Sequence, residues 1–286
     1  MPIYLDVVSA ATETATKILA QRAAGYDVTV TAAGGATASV RWNVAARTVR
    51  LNLPSLPADA NLSRMEADRI VGYVAHECCH VLHTDWPVWL DAVHAGERVK
   101  LWTNALEDVR IEAKEIKAKV FPALRGILSS VMDKVHFDGI MGARAAGRTL
   151  GDSLADAPYV ACILGRLRNG YTVPTSAGLR AGLPAPVTAL VDMALAELPA
   201  CRSTFDVLCL ARRLAREEQQ VQQQAQQQAQ QQAQQQAQQQ AQQQARQAQQ
   251  VRRDAGEGEG SGEGSGEGEG EGEGEGEGEG EGEGSS

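Results

Sequence analysis

The chain has 286 residues, 43% of them hydrophobic, and a formal net charge of −9. The charge is unevenly placed: residues 251–286 hold Asp254 and twelve Glu against Arg252 and Arg253, a balance of −11 that leaves about +2 for residues 1–250. A nearly neutral body gives no electrostatic case for nucleic acid, and five cysteines without a CxxC spacing argue for a reduced compartment rather than a disulfide scaffold.

From the N-terminus, residues 7–24 place Val8, Ala11, Ala15, Ile18 and Leu19 at helical spacing, with Gly25 as a stop. Acidic residues and no basic region accompany this segment, so it is not expected to be a signal peptide. No window reaches 18 apolar residues, so no membrane span is expected and the protein is assigned to the cytoplasm. Apolar and polar residues then alternate, with turns at Gly34–Gly35 and near Ala45–Ala46. Strands over 27–32, 38–43 and 47–53 are expected to form a small antiparallel sheet. Ser63, with Glu66 three residues on, has the capping-box pattern of a helix running to about Thr84. A second long helix follows in ERVKLWTNALEDVRIEAKEIKAKVF, and residues 121–136, 152–168, 186–198 and 203–219 are amphipathic.

The C-terminal region has a different composition. Val221 to Gln250 is almost wholly Gln and Ala, a composition that tolerates a solvated helix, and Gly256 to Ser286 is almost wholly Gly and Glu. Neither tract has the large apolar side chains that a core requires. The expected organisation is a domain over 1–215, a helical spacer over 216–253 and a disordered acidic tail over 254–286, with an α+β, mostly helical fold in the first.

The segment GYVAHECCHVLHTDW carries the chemistry. At 100° per residue, His80 lies about 40° and His83 about −20° from His76, so three imidazoles share one face. Val71, Val74, Cys78, Val81 and Leu82 occupy the opposite face, and Glu77 lies on the border. H-E-x-x-H puts two imidazoles one turn apart, able to reach a single Zn²⁺ at roughly 2.0–2.1 Å. The adjacent Glu77 then reaches the water that such an ion activates, as a general base. A third protein ligand is required. No metzincin-type third histidine is present, so the carboxylate is sought in TNALEDVRIE, where Glu107 is the first choice. Asp108 is assigned as an acceptor for a ligand histidine or as the alternative ligand, and Asp108 with Glu112 is the alternative pairing. His83 is a capping histidine or competing ligand, and Asn104 a supporting group or a cap. Cys78 and Cys79 are expected as small core residues, and Trp86, Trp89 and Trp102 as core or cleft wall.

With AHECCHVLHTDW followed by LWTNALEDVRIE, the chain resembles cobaltochelatase T-subunit-like proteins, including phage and prophage forms, and related putative metallopeptidases with H-E-x-x-H-x-x-x-T-D and N-x-L-E-D-x-R-x-E. The resemblance covers about residues 47–115, with a weaker fit to about 215. It implies a zincin-like active-site helix and one Zn²⁺, with His76, Glu77, His80, Glu107 and Asp108 at motif positions and Arg110 and Glu112 as further motif positions. It also implies a bacterial or phage-infected host cell. In that family a von Willebrand A domain follows the acidic linker and a hexameric AAA+ ATPase is the partner. No Asp-x-Ser-x-Ser motif occurs here, so that domain is expected to be absent. The expected function is gluzincin-type peptide-bond hydrolysis on a peptide or protein substrate. The alternatives are a non-catalytic zinc-stabilised adaptor working with an AAA+ ATPase, and a phage structural or assembly protein. No nucleic acid, membrane or organic cofactor is expected.

Overall fold

The computed structural model describes residues 3–20, 27–34, 39–43, 46–119 and 122–256. The chain divides into two units, Met1–Gln226 and Gln227–Ser286. The second is helical to Gly256, and the Gly/Glu segment beyond lies outside the described residues.

The first unit opens with α1 (Tyr4–Ala20), which buries Tyr4, Val7, Ala11, Ala15 and Leu19 along one stripe. Residues 21–24 of the expected helix lie outside the described residues. Three strands follow: β1 (Asp27–Gly34), β2 (Ser39–Asn43) and β3 (Thr48–Pro54), in the spatial order β1-β3-β2. Here the structure corrects the expected antiparallel sheet. β2 and β3 pair antiparallel, Ser39 opposite Asn52, but β1 runs parallel to β3, Asp27 opposite Thr48. Alternation identifies strands and their faces but not their order. β3, with Val49, Leu51 and Leu53 fully inward, takes the centre, and two reversals of direction then leave β1 parallel to it.

The capping box at Ser63 forms as expected. Glu66 N–H donates to Ser63 Oγ at 3.2 Å, and Ser63 N–H donates to Glu66 Oε2 at 2.7 Å. It starts α2 (Arg64–His83). A short helix that periodicity did not suggest, α3 (Trp86–His94), follows with Asp85 as N-cap and Pro87 in its first turn. Next come α4 (Glu97–Ala118) and α5 (Leu124–Ala145). α5 runs past the expected end at 136, and Gly139 within it is a packing site rather than a stop; a Cβ there would lie 2.9 Å from Tyr159 Oη. The remaining helices are α6 (Ala157–Arg168), α7 (Ala185–Glu197) and α8 (Thr204–Gly256), so the amphipathic segment and the Gln/Ala spacer belong to one helix.

Two apolar clusters hold this unit together. One gathers α1, β3, α2 and α5 around Leu19, Leu51, Val74, Cys78 and Leu124. The other gathers α4, α6, α7 and the start of α8 around Trp102, Leu106, Val160, Val191 and Leu214. α4 contributes Ile111 to the first and Val109 to the second, so its polar face lies at the seam. Among the described residues no single helix is long and apolar enough to cross a membrane.

The α2–α5 contact is tightest at Gly72, where an added Cβ would collide with Val131 and lie 2.9 Å from Ile127 Cγ2. Gly72→Ala is expected to lower unfolding free energy by about 1–3 kcal/mol. Gly126→Ala on the same α5, where nothing lies within 4 Å, should raise it by about 0.5–1 kcal/mol. Urea denaturation of the two variants checks the contrast.

Candidate metal centre

α2 presents His76 and His80 one turn apart, their rings nearly perpendicular with centroids 4.8 Å apart. Each ring is oriented through Nδ1. His76 Nδ1 lies 2.7 Å from Glu112 Oε1, and His80 Nδ1 lies 3.0 Å from Thr84 Oγ1. Both Nε2 atoms are thereby turned to a common point on α4, where Asp108 Oδ1 lies 3.8 Å from His76 Nε2 and 3.2 Å from His80 Nε2. His76, His80 and Asp108 form a group able to hold a metal ion, with one ligand atom from each lying within 4.8 Å of the others.

Asp108 is divided between two tasks. Its Oδ2 accepts from Arg166 Nη2 at 3.3 Å, whereas the buried Oδ1 makes no well-directed hydrogen bond among the described residues and faces only the two Nε2 atoms. A buried carboxylate oxygen without a well-aligned donor is costly, and a cation between Oδ1 and the two Nε2 atoms would remove that cost. The donor set, two imidazoles and one carboxylate, suits a divalent metal ion.

Glu107 is placed differently from the expectation. Its Oε1 accepts from Arg110 Nη2 at 2.6 Å, Thr204 Oγ1 at 2.8 Å and Thr84 Oγ1 at 3.1 Å, and its Oε2 accepts from Arg110 Nε at 2.8 Å. Both oxygens are therefore committed, and the carboxylate that closes on the histidines is that of Asp108. The reason is helical phase: residues 107 and 108 differ by about 100°, so only one can face α2 at this point. Glu112, one turn from Asp108 on the same face, does not join the group. Its Oε1 holds His76 and takes Arg166 Nη2 at 2.6 Å, and its Oε2 takes Arg166 Nε at 2.8 Å and Tyr171 Oη at 2.7 Å.

The other candidates separate cleanly. His83 is turned to Glu115, with Nε2 2.9 Å from its Oε2, and stands outside the metal group. Asn104 is exposed, and no hydrogen bond joins it to the cluster. Glu77 is half-buried and makes no hydrogen bond or ion pair among the described residues. Cys78 and Cys79 are fully buried free thiols whose pKa values burial pushes up. Trp102 is in the core, donating from Nε1 to Glu218 at 3.1 Å, while the Trp86 ring stands 6.4 Å from that of His80 and from that of Trp89.

No family model matches the chain, and neither a curated protein nor a solved structure matches it.

The charges are strongly coupled. Burial works against a charged His76, but Asp108 and the hydrogen bond to Glu112 outweigh it and raise its pKa to about 9. Against their own burial, Asp108 is held below its usual range by His76, His80 and Arg166, and Glu112 by Arg166 and His76. Burial raises Glu77, with His76 and His80 pulling the other way. Arg166 and Tyr171, both essential to this arrangement, carry no motif in the sequence. Thr84 belongs to the T-D of the motif, and Arg110 gains a definite role as the clamp on Glu107.

In the metal-free protein the pKa of His76 is raised above 6.5, so its imidazolium stabilises the fold fully below about 6.5, and that contribution is lost as pH rises through about 9. A metal ion requires the neutral ring, so its affinity should rise with pH over the same interval. Unfolding measured across this range with chelator, and again with one equivalent of zinc, should show a loss of stability with rising pH in the first series only.

Proposed function

We propose that the protein is a zinc-dependent hydrolase of peptide bonds, with His76, His80 and Asp108 as the metal ligands. The observation that carries this reading is Oδ1 of Asp108, which faces both Nε2 atoms and little else, while Glu77, next to His76 on α2, makes no hydrogen bond or ion pair among the described residues. Zinc held there supplies Lewis acidity, polarising a carbonyl and lowering the pKa of water toward about 7. Glu77 takes the proton from the attacking water and delivers it to the leaving amine. Its partial burial favours holding that proton, and the positive charge of a bound ion would favour giving it up. Glu112 and Thr84 keep each ring in the tautomer that presents Nε2. The resemblance of the two motifs to putative metallopeptidases points the same way.

One observation favours a second reading, in which the metal stabilises an adaptor that works with an AAA+ ATPase and cuts nothing. The cavity bordered by His76, Asp108 and Arg166 has a volume of about 120 Å³, below the roughly 300 Å³ at which small-molecule pockets begin.

Metal analysis and a peptidase assay on the same variants test both. Asp108→Ala should lose the bound zinc, Glu112→Gln should weaken its binding by about 10–100-fold, and Glu107→Gln should keep it. Glu77→Gln should retain full zinc and lose at least about 100-fold in turnover. Zinc retained in Asp108→Ala would overturn the ligand assignment. A wild-type protein that holds zinc but cleaves no peptide in a mixed library would select the adaptor.

A further inference from the structure

A cavity of about 320 Å³ opens between α4, the end of α6 and the segment from Leu195 to Arg202. It contains none of the metal-group residues. Its cations are Arg110, Lys114, Lys117, Arg168 and Arg202, and no acidic residue lines it. Arg110 is neutralised by Glu107, but among the described residues Lys114, Lys117, Arg168 and Arg202 have no carboxylate partner. Two acids close in sequence to the lining segment are engaged elsewhere, Glu197 with Arg213 and Asp206 with the backbone N–H groups of Arg202 and Ser203.

The wall between these cations is apolar, formed by Val109, Ala113, Leu195 and Leu198. Part of the rim is fixed before any ligand arrives. Arg168 Nη1 donates to the Leu195 carbonyl at 2.8 Å, and Asn169 Nδ2 donates to the Val109 carbonyl at 3.3 Å. Unpaired like charges spread over a convex surface are ordinary solvated groups. Gathered around a concave apolar wall, on a body whose net charge is only about +2, they repel one another and focus a positive potential into the cavity. An anion relieves that repulsion, and an apolar group attached to it gains the wall.

We propose that this cavity binds a small amphipathic anion, a phosphate monoester on a compact aromatic or aliphatic group. Its volume falls at the lower end of the range for small-molecule sites, and guanidinium and ammonium donors together suit a phosphate. The inference is independent of the metal reading, because the residues that carry it lie outside the metal group.

Calorimetric titration of the full chain with phenyl phosphate, inorganic phosphate and phenol tests it. One phenyl phosphate per chain should bind, at least about tenfold more tightly than either fragment. The double variant Lys114→Gln/Lys117→Gln, at two exposed positions, should weaken phenyl phosphate by about tenfold or more. Ala113→Leu, which fills the wall, should weaken phenyl phosphate and leave inorganic phosphate unchanged. The proposal is overturned if phenyl phosphate shows no saturable binding, if inorganic phosphate binds equally well, or if binding survives the double substitution, as phosphate held at the metal group would.

Discussion

The site depends on one buried ion pair, Glu112 with Arg166. Both side chains are almost fully withdrawn from water, and the guanidinium meets the carboxylate through two nitrogens at 2.6 and 2.8 Å. An unpaired charge at this depth would cost several kcal/mol, so the pair persists only because its remaining valences are also filled. Tyr171 donates to Glu112, His76 bonds it, and the Arg166 Nη2 that meets Glu112 also donates to Asp108. The interaction ties α4 to α6 across the two apolar clusters, and it fixes the direction of His76.

A second clamp, Glu107 with Arg110, does for His80 what the first does for His76, one step removed. Thr84 Oγ1 stands between the His80 ring and the Glu107 carboxylate. Arg110 also donates to the carbonyls of His83 and Arg202, and Thr204 donates to Glu107, so the end of α2 and the start of α8 are gathered at one carboxylate. Each histidine of the group is therefore backed by an arginine-held glutamate. Neither glutamate used in this way joins the group able to hold a metal. The shorter Asp108, held by Arg166 through one oxygen only, keeps the other turned to the two Nε2 atoms.

What was legible in the sequence follows from this division. The capping box and the helical phase of His76, Glu77 and His80 are local properties, set within a few residues, and they appear in the structure as read. The choice between Glu107 and Asp108 is not local. It is decided by Arg166, 58 residues beyond Asp108, and by Thr204, neither of which is marked by spacing or composition, together with Thr84, which stands in the motif without its role being evident there. The strand order escapes for a similar reason, since alternation around Val49, Leu51 and Leu53 gives the buried face of β3 without saying which neighbours flank it. α3 left only the weak signals of Asp85 and Pro87, because a helix with Ala92 alone buried has no apolar stripe to detect.

Charge balance at the seam gives the strongest reason to expect a cation there. Asp108 and Glu112 are buried carboxylates held in the charged form, and Arg166 is the only arginine or lysine side chain that contacts either of them among the described residues. With Glu77 nearby and able to carry a further negative charge, the cluster has an excess of one to two negative charges in a region largely closed to water. Low dielectric makes such an excess expensive. A proton on His76 answers part of it, which is why that ring is drawn to a high pKa between Asp108 and Glu112. A divalent ion at the same point answers all of it, and lets both imidazoles become the neutral donors that their Nδ1 partners already orient.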